Sequence, residues 1–282
     1  MEPDHAGYRR GPCDFAVIGG LPEFEIVEAN LRAAMRFFGE ATGTGEVRAL
    51  DGAVGIYSGL DYGVFNISML DGPVGSESGE IERRLAQCRE FFEPRTKRWS
   101  FWLCEEFLEP RRVRAAKQAL SAQHLRLISE APGMLADDLR PPMHALPEIE
   151  CIPVADAAAR EAFGGLTAVS FDIPMDVTRQ VYYPASAWQG GYRGYIAKVA
   201  GRAVSIVAIV AEAGSLGIYY LATLPEDRRR GYGEALLRAA VAEEQRRTGI
   251  RRMILQTTEA GHSLYLKMGF RPVGRFSVYL TK

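Results

Sequence analysis

Short apolar runs separated by polar turns divide about the last 135 residues of the chain into predicted strands. The run 203–210 is almost entirely apolar and rich in β-branched residues, which is typical of a strand buried on both faces. The predicted strands are 149–154, 195–199, 203–210, 216–223, 253–257 and 273–280. Because helical segments interrupt this series, we expect an α/β (α+β) domain with a mixed sheet and helices on both faces.

The longest predicted helix of this part covers residues 234–247. Its apolar residues fall on one face at helical spacing, and they are Leu236, Leu237, Ala240 and Val241. Two arginines in the last turn suit the helix dipole, and Gly249 suits a left-handed C-terminal cap. Asp156 is placed to cap a shorter helix that runs to about residue 163, and a looser helical segment follows at 177–187.

The first half of the chain has a similar order of elements. A helix is predicted at 25–38, strands at 47–49, 53–57 and 64–70, a helix marked by Ile81 to Phe92, a strand at 99–103, a helix at 113–120 and a strand at 125–128. This order recurs in the second half at an offset of about 150 residues. Proline density and lost periodicity between 132 and 147 indicate a linker. We therefore predict a tail at 1–22, a domain at 23–135, a linker at 136–147 and a second domain at 148–282.

Composition argues against several classes of protein. The 282 residues carry 34 Lys and Arg against 35 Asp and Glu, so the net charge of −1 attracts neither nucleic acid nor an anionic membrane. The four cysteines and four histidines show no metal-ligand or redox spacing, and we expect no metal site. The start of the chain resembles no signal peptide, and no apolar run reaches the ~20 residues that span a bilayer. A cytoplasmic protein is expected, and homo-oligomerisation stays open.

The segment Arg228-Arg229-Arg230-Gly231-Tyr232-Gly233 lies between a predicted strand and the long predicted helix. Unpaired N–H groups and the helix dipole favour an anion at such a helix start, and glycines allow close approach of a ligand. A Walker loop needs a following Lys-Ser/Thr, and a dinucleotide fingerprint needs its first glycine directly after the strand. Neither pattern is present, so coenzyme A and a solvated surface turn are the interpretations that remain.

A second motif, Ser263-Leu264-Tyr265-Leu266-Lys267-Met268-Gly269-Phe270, follows after an intervening strand. The pattern Arg-x-x-Gly-x-Gly together with Leu-Tyr-x-x-x-Gly-Phe, in this order, resembles the GNAT superfamily of N-acyltransferases. The resemblance covers about the last 135 residues. It implies a mostly antiparallel GNAT-like sheet, acetyl-CoA as co-substrate, and a primary amine on a small molecule, a peptide or a protein as acceptor.

The resemblance also assigns roles to residues. Tyr265 matches the general acid that protonates the leaving sulfur. Cofactor-binding positions carried over from the motifs are Leu221, Ala222, Thr223, Arg228, Arg229, Arg230, Gly231, Tyr232, Gly233, Glu234 and Thr258. The first three would act through the main chain, and an N–H near Ala222 would face the thioester oxygen. Two positions depart from the family pattern, since Thr258 stands where relatives often have Asn and Arg229 where they often have Gly.

Several questions stay open at the level of sequence. The general base is not assignable, although Glu212, Tyr219 and His262 lie near the expected cleft. Four aromatic residues, Tyr182, Tyr183, Trp188 and Tyr192, would either line an acceptor cleft or only pack together. A CoA-binding sensor without catalysis is the alternative to an enzyme.

The first half is predicted to be a degenerate GNAT-like domain, with an unrelated α/β domain as the alternative. Its equivalent turn, 71–79, has glycines but lacks the Arg-x-x-Gly-x-Gly pattern. It also carries acidic residues, which repel phosphate and would weaken CoA binding there.

Overall fold

The computed structural model describes residues 17–18 and 21–281. Its helices are α1 (Glu23–Ala41), α2 (Glu80–Phe92), α3 (Val113–Ala122), α4 (Ala157–Phe171), α5 (Met175–Tyr182), α6 (Tyr232–Thr248) and α7 (Glu259–Met268). Its strands are β1 (Val17–Ile18), β2 (Leu21–Pro22), β3 (Glu46–Leu50), β4 (Ala53–Tyr57), β5 (Ile67–Leu70), β6 (Ser100–Cys104), β7 (Leu125–Ala136), β8 (Glu150–Pro153), β9 (Tyr192–Val199), β10 (Arg202–Glu212), β11 (Ser215–Thr223), β12 (Met253–Gln256) and β13 (Arg271–Thr281).

One continuous sheet runs through both halves of the chain. Within the described residues it has eleven strands in the order β3-β4-β5-β6-β13-β7-β12-β11-β10-β9-β8, while β1 and β2 pair only with each other. Only β5–β6 and β11–β12 are parallel, and the other neighbours are antiparallel. The prediction of a mixed, mostly antiparallel α/β sheet is therefore confirmed.

The two halves repeat the same strand pairing and exchange their last strands. An antiparallel pair followed by a parallel pair occurs as β4–β5–β6 and again as β10–β11–β12. The last strand of the second half, β13, lies between β6 and β7 of the first half. The last strand of the first half, β7, lies between β13 and β12. Each half therefore relies on a strand from the other to continue its sheet.

Helices cover both faces of this sheet. On the β4 strand, Ile56 faces α1 near Gly39, whereas the adjacent Gly55 faces Phe91 of α2. In the second half, α6 packs on the opposite face from α4, since their buried residues belong to separate apolar clusters. The predicted cap of α4 is present, because the Asp156 carboxylate accepts from the Ala159 N–H at 2.8 Å.

Helix α1 belongs to the first half by sequence but is fixed to the second half by one buried side chain. The amide nitrogen of Asn30 donates to the carbonyl oxygens of Val210, Glu212 and Ser215 at 3.0–3.1 Å. The Tyr219 hydroxyl donates to the Asn30 amide oxygen at 2.7 Å. Because Asn30 is fully buried, these partners replace the water that its amide loses on folding.

The structure extends several predicted elements. The strand predicted at 125–128 continues through Pro132 to Ala136, where the proline was interpreted as a break. Pro132 lies where β12 ends, so its missing N–H interrupts no pairing with that strand, and its carbonyl accepts from Thr257 N–H at 3.2 Å. Residues 137–149 carry no regular secondary structure. Most of the predicted tail, 1–16 and 19–20, lies outside the described residues.

Replacing Asn30 by alanine is expected to lower the free energy of unfolding by about 2–4 kcal/mol, because buried carbonyl and hydroxyl groups lose their partner. Urea unfolding followed by far-UV circular dichroism measures this loss. The control is Arg36→Ala on the same helix, where a half-exposed ion pair with Glu40 is worth about 0–1 kcal/mol. Equal stability of the two variants would contradict the role given to Asn30.

Candidate functional site

Strand β11 contains a bulge close to its C-terminal end. On β10, Ile206 and Ala208 are two residues apart, but their partners on β11, Ala222 and Tyr219, are three apart. Tyr220 supplies the extra residue and has a left-handed φ of 51°. A bulge of this kind re-aims main-chain groups away from the ladder, so the backbone here is available to a ligand.

The parallel strands β11 and β12 separate just beyond this point. They pair only from Leu216 to Ile218, and a cavity of about 350 Å³ opens between the ends of the two strands. Tyr219, Tyr220 and Leu221 line one side of the cavity, and Gln256 to Thr258 line the other. The two strands thus diverge at this point, and the divergence creates space for a narrow ligand.

The arginine-glycine turn leads from β11 into α6 through two left-handed residues. Arg229 has φ 61° and Gly231 has φ 85°, and Gly231 precedes the first residue of the helix. Within the described part of the chain, no backbone or side-chain group accepts a hydrogen bond from the N–H groups of 229–234. A methyl group added at Gly231 would lie 2.9 Å from Pro147, so only glycine fits. The turn therefore presents free donors at the positive end of a helix dipole.

The arginines of the turn differ in how they are held. The buried Asp227 carboxylate pairs with Arg230 at 3.4 Å and with Arg202 at 2.7 Å, which reduces the free positive charge of Arg230. Arg228 is exposed, and its only contact among the described side chains is a 3.2 Å hydrogen bond to the Thr223 carbonyl. Neither Arg228 nor Arg229 forms an ion pair with a described residue, and Arg228 is also held in position at the end of β11.

A second cavity of about 390 Å³ lies beside the turn, between α6 and α7. Its walls include the basic residues Arg229, Arg230, Arg238 and Lys267, with Glu234 as the acidic neighbour. Glu234 is paired with Arg238 at 2.7 Å, so the balance of charge remains positive. The free donors border the basic cavity, and adjacent residues of α7, Leu264 and Tyr265, line this cavity and the opening between the strands respectively.

The tyrosine of the second motif lines the cavity between the strands. The side chain of Tyr265 is 9% exposed, and its ring packs edge-on against Phe270 with centroids 5.7 Å apart. Burial raises its pKa to about 12. No described residue bonds to its hydroxyl. A protonated phenol is therefore available at this cavity throughout the neutral pH range.

The other predicted binding residues lie around the same opening. Leu221 and Thr258 line the cavity, and Thr258 also precedes α7. The carbonyl of Ala222 is occupied, since the Ser205 hydroxyl donates to it at 2.6 Å. Thr223 approaches the turn, because a methyl group added at Gly233 would lie 3.1 Å from its hydroxyl. Tyr232 is the first residue of α6.

The candidate bases do not gather at the cavity. Glu212 lies at the exposed hairpin end of β10, away from the cavity walls. Tyr219 lines the cavity, but burial raises its pKa well above the ordinary value, so it is a poor proton acceptor. His262 lies on α7 outside the residues that form the walls. No base is assigned.

The aromatic group proposed near the acceptor side packs against α1 instead. Tyr192 stacks on Phe37 at 4.0 Å, Tyr182 stacks on it at 5.7 Å, and Trp188 contacts it edge-on at 5.8 Å. Neither these residues nor Tyr183 lines the cavity. Of the two interpretations left open by the sequence, the packing role fits the structure.

Residues that the motifs did not identify form the rest of the cavity wall. They come from α1, from the first half of the chain and from the end of α4, and they are Leu31, Met35, Phe38, Val64, Trp102 and Phe171. These residues could not be recognised from the sequence as cavity residues, because an alternating apolar pattern is the same whether the residues face a core or a cavity. Only the position of α1 across both halves brings them to the site.

The corresponding region of the first half is arranged differently. Val74 N–H donates to the Phe107 carbonyl at 2.8 Å, which bridges the segments that follow β5 and β6. Arg84 donates to the carbonyls of Gly72 and Pro73 at 3.0–3.1 Å and pairs with Glu80 in the first turn of α2. Three acidic residues at this helix start, Glu77, Glu80 and Glu82, repel an external anion.

The comparison with protein families decides the identity of the second half. Residues 190–272 match the family model described as "Acetyltransferase (GNAT) domain". This segment is a GNAT domain. The match includes the bulged strand, the arginine-glycine turn, α6, β12 and Tyr265. No curated protein matches the chain.

Solved structures extend the likeness to nearly the whole chain. A GCN5-related N-acetyltransferase from Kribbella flavida has a TM-score of 0.66 and 19% identity, covering 92% of this chain and 95% of its own. One from Sphaerobacter thermophilus has a TM-score of 0.57 and 15% identity, with 82% and 76% covered. A tandem GNAT protein from the clavulanic acid biosynthesis pathway has a TM-score of 0.54 and 14% identity, with 81% and 78% covered. At these identities the likeness establishes the fold.

Two searches of the described residues were negative. No helix there combines the length and the apolar character that a membrane crossing requires. No cluster of three or more His, Cys, Asp or Glu residues suited to a metal ion was found in 17–18 and 21–281.

The raised pKa of Tyr265 predicts a pH-dependent contribution to stability. The unfolded chain ionises tyrosine near pH ~10 and the folded protein near pH 12, so the contribution is complete below pH ~10 and is lost between these values. Between pH 9 and 11 the stability of the wild type should fall by about 1 kcal/mol more than that of Tyr265→Phe. Denaturant unfolding of both proteins across this range measures the difference. Parallel pH profiles would show that Tyr265 ionises like a solvated phenol.

Proposed function

We propose that the protein transfers an acetyl group from acetyl-CoA to a primary amine by direct attack, with Tyr265 as the general acid. The observation that carries the proposal is that a protonated phenol and a bulged strand with available main chain line one cavity, while a row of free helix-start donors lies beside a basic cavity on the adjacent part of α7. The GNAT domain match at 190–272 supports acyl transfer as the type of reaction.

The residues around the opening fit the parts of coenzyme A. The N–H groups of 229–234 and the dipole of α6 would hold the pyrophosphate, with Arg228 as a further charge. The basic cavity between α6 and α7 suits the nucleotide phosphate. The edge of β11 at Leu221, Ala222 and Thr223 is unpaired with β12, so its main chain would pair with the pantetheine amides. Thr258 lies opposite it across the opening.

The chemical step requires three things of the protein. The thioester carbonyl must lie at the bulge, where a backbone N–H near Ala222 can stabilise the oxyanion. The amine nitrogen must reach the carbonyl carbon from the side of the cavity formed by α1. The sulfur must be protonated as the carbon–sulfur bond breaks, and the Tyr265 hydroxyl is the donor at the cavity wall.

We also infer that the first half is a degenerate GNAT-like domain that does not bind the donor. The repeated strand pairing supports the relationship, and the hydrogen bond from Val74 to Phe107 closes the space that a pantetheine arm would need. In place of free arginines this region has Arg84 and Arg112, which donate to carbonyl oxygens of the 72–77 segment.

Thiol release from acetyl-CoA over a library of amines tests the activity. Turnover should appear with at least one amine and should fall about 10²–10³-fold in Tyr265→Phe, with CoA affinity changed less than threefold, because only the proton donor is lost. Tyr183→Phe, which removes a hydroxyl from a residue that does not line the cavity, is the control and should retain activity. Tight CoA binding without turnover on any amine would instead favour a CoA-binding sensor.

The two helix-start glycines offer a matched test of where the donor binds. Gly231 and Gly79 precede α6 and α2 with φ of 85° and 81°, so alanine at either position costs about 1 kcal/mol of backbone strain. Gly231→Ala also forces the turn away from Pro147 and should weaken CoA binding at least tenfold by isothermal titration calorimetry. Gly79→Ala should leave CoA affinity unchanged. Equal losses in both variants would contradict the assignment of the donor site to the second half.

A further inference from the structure

The walls of the cavity carry no formal charge. Of the fifteen described residues that line it, none is Asp, Glu, Lys, Arg or His. Its titratable side chains are Tyr219, Tyr220 and Tyr265, and burial raises the pKa of all three, so they stay neutral at physiological pH. The cavity is therefore uncharged on every side that the structure describes.

This neutrality restricts the acceptor, given the proposed acyl transfer. An alkyl amine is an ammonium ion at neutral pH, and burying it without a counter-charge costs several kcal/mol. Aromatic side chains could attract such a cation through their ring faces, but attraction alone does not remove its proton. Since no carboxylate or imidazole lines the cavity, an amine that arrives protonated has no group to deprotonate it. An amine that is already neutral needs no such group.

The wall on the acceptor side is apolar and aromatic and comes largely from outside the GNAT match. Met35 and Phe38 on α1, Val64 and Trp102 from the first half, and Phe171 at the end of α4 form it. A flat ring fits this surface by area and by ring contacts. A polyamine or an amino sugar would bring several polar groups into a wall that offers them few partners.

Two hydrogen-bond donors on the cavity wall lack a partner. The indole nitrogen of Trp102 and the amide nitrogen of Gln256 are buried, and no described residue accepts from either. Buried donors are normally satisfied, so an unpaired one beside a ligand cavity points to an acceptor atom on the ligand. Gln256 lies at the end of β12, next to the opening between the strands, whereas Trp102 lies on β6 in the first half.

We propose that the acceptor is a neutral, weakly basic aromatic amine whose ring carries a hydrogen-bond-accepting oxygen, with that oxygen bound by the Trp102 indole N–H. The amine nitrogen attacks the thioester carbon and forms the N–C bond as the C–S electron pair leaves on sulfur. Tyr265 gives its proton to the sulfur, and the proton released by the nitrogen restores the phenol. The products are the anilide and the free thiol, and no external base enters the balance.

Matched amines test the basicity requirement on the full-length protein. Aniline derivatives are neutral at pH 7.5, and benzylamine is a protonated amine of similar size. With acetyl-CoA saturating, kcat/KM for 4-methoxyaniline should exceed that for benzylamine at least a hundredfold and should be flat from pH 6.5 to 8.5. For benzylamine it should rise about tenfold per pH unit, as the free-base fraction does. Preferred turnover of benzylamine or spermidine would overturn the substrate class while leaving the acyltransferase proposal intact, whereas no thiol release with any amine would contradict the acyltransferase proposal itself.

A pair of ring substituents tests Trp102. The wild type should prefer 4-methoxyaniline to 4-methylaniline about fivefold in kcat/KM, the worth of one hydrogen bond near 1 kcal/mol. Trp102→Phe should bring this ratio to within twofold while CoA affinity stays unchanged. Trp188→Phe is the control, because that indole already donates to the Tyr182 carbonyl outside the cavity, and it should keep the preference. A preference retained in Trp102→Phe, or absent in the wild type, would contradict the contact.

Discussion

The antiparallel pairing of β13 with β7 is the interaction on which the rest of the structure depends. It runs from Arg271 opposite Leu135 to Thr281 opposite Leu125, and it joins a five-stranded and a six-stranded sheet into one. Without it β13 and β7 would be exposed edges, and an unpaired edge is a liability for a folded protein. The exchange also fixes the distance between the halves, so that helix α1 can lie across both and bring its side chains to the opening beside β11.

The position of α1 explains how the first half of the chain takes part in the site. Asn30 fastens the helix to the β10–β11 hairpin, and the next turn of the same helix supplies Met35 and Phe38 to the cavity. Trp102 lies on the same continuous sheet and Val64 lies beside it, so both residues also reach the cavity. The first half lacks the Arg-x-x-Gly-x-Gly pattern before α2, and it contributes one wall of its neighbour's cavity.

Much of the site was predictable from local sequence. Arg228 to Gly233 and Tyr265 depend on spacing along the chain, and short-range backbone geometry places them wherever the domain folds. Trp102 and Phe38 were not predictable as cavity residues, since an alternating apolar pattern does not say which strand will be the neighbour. The exchange of strands between the halves was not predictable for the same reason. The strands at 273–280 and 125–128 were expected, but no local pattern indicates which strands they pair with. Asn30 is a weak hint of the contact between α1 and the second half, because it is a polar residue beside Leu31 on an apolar helix face.

The strand exchange has a consequence for biosynthesis. A ribosome delivers the first half of the chain well before residues 271–281, yet β6 obtains one of its two neighbours only from that segment. The edge of β6 therefore stays unpaired while roughly half of the protein is still being synthesised, at a rate of about 5–20 residues per second. Folding is completed only by the last strand, and a truncation near residue 270 would leave both halves unfinished rather than one.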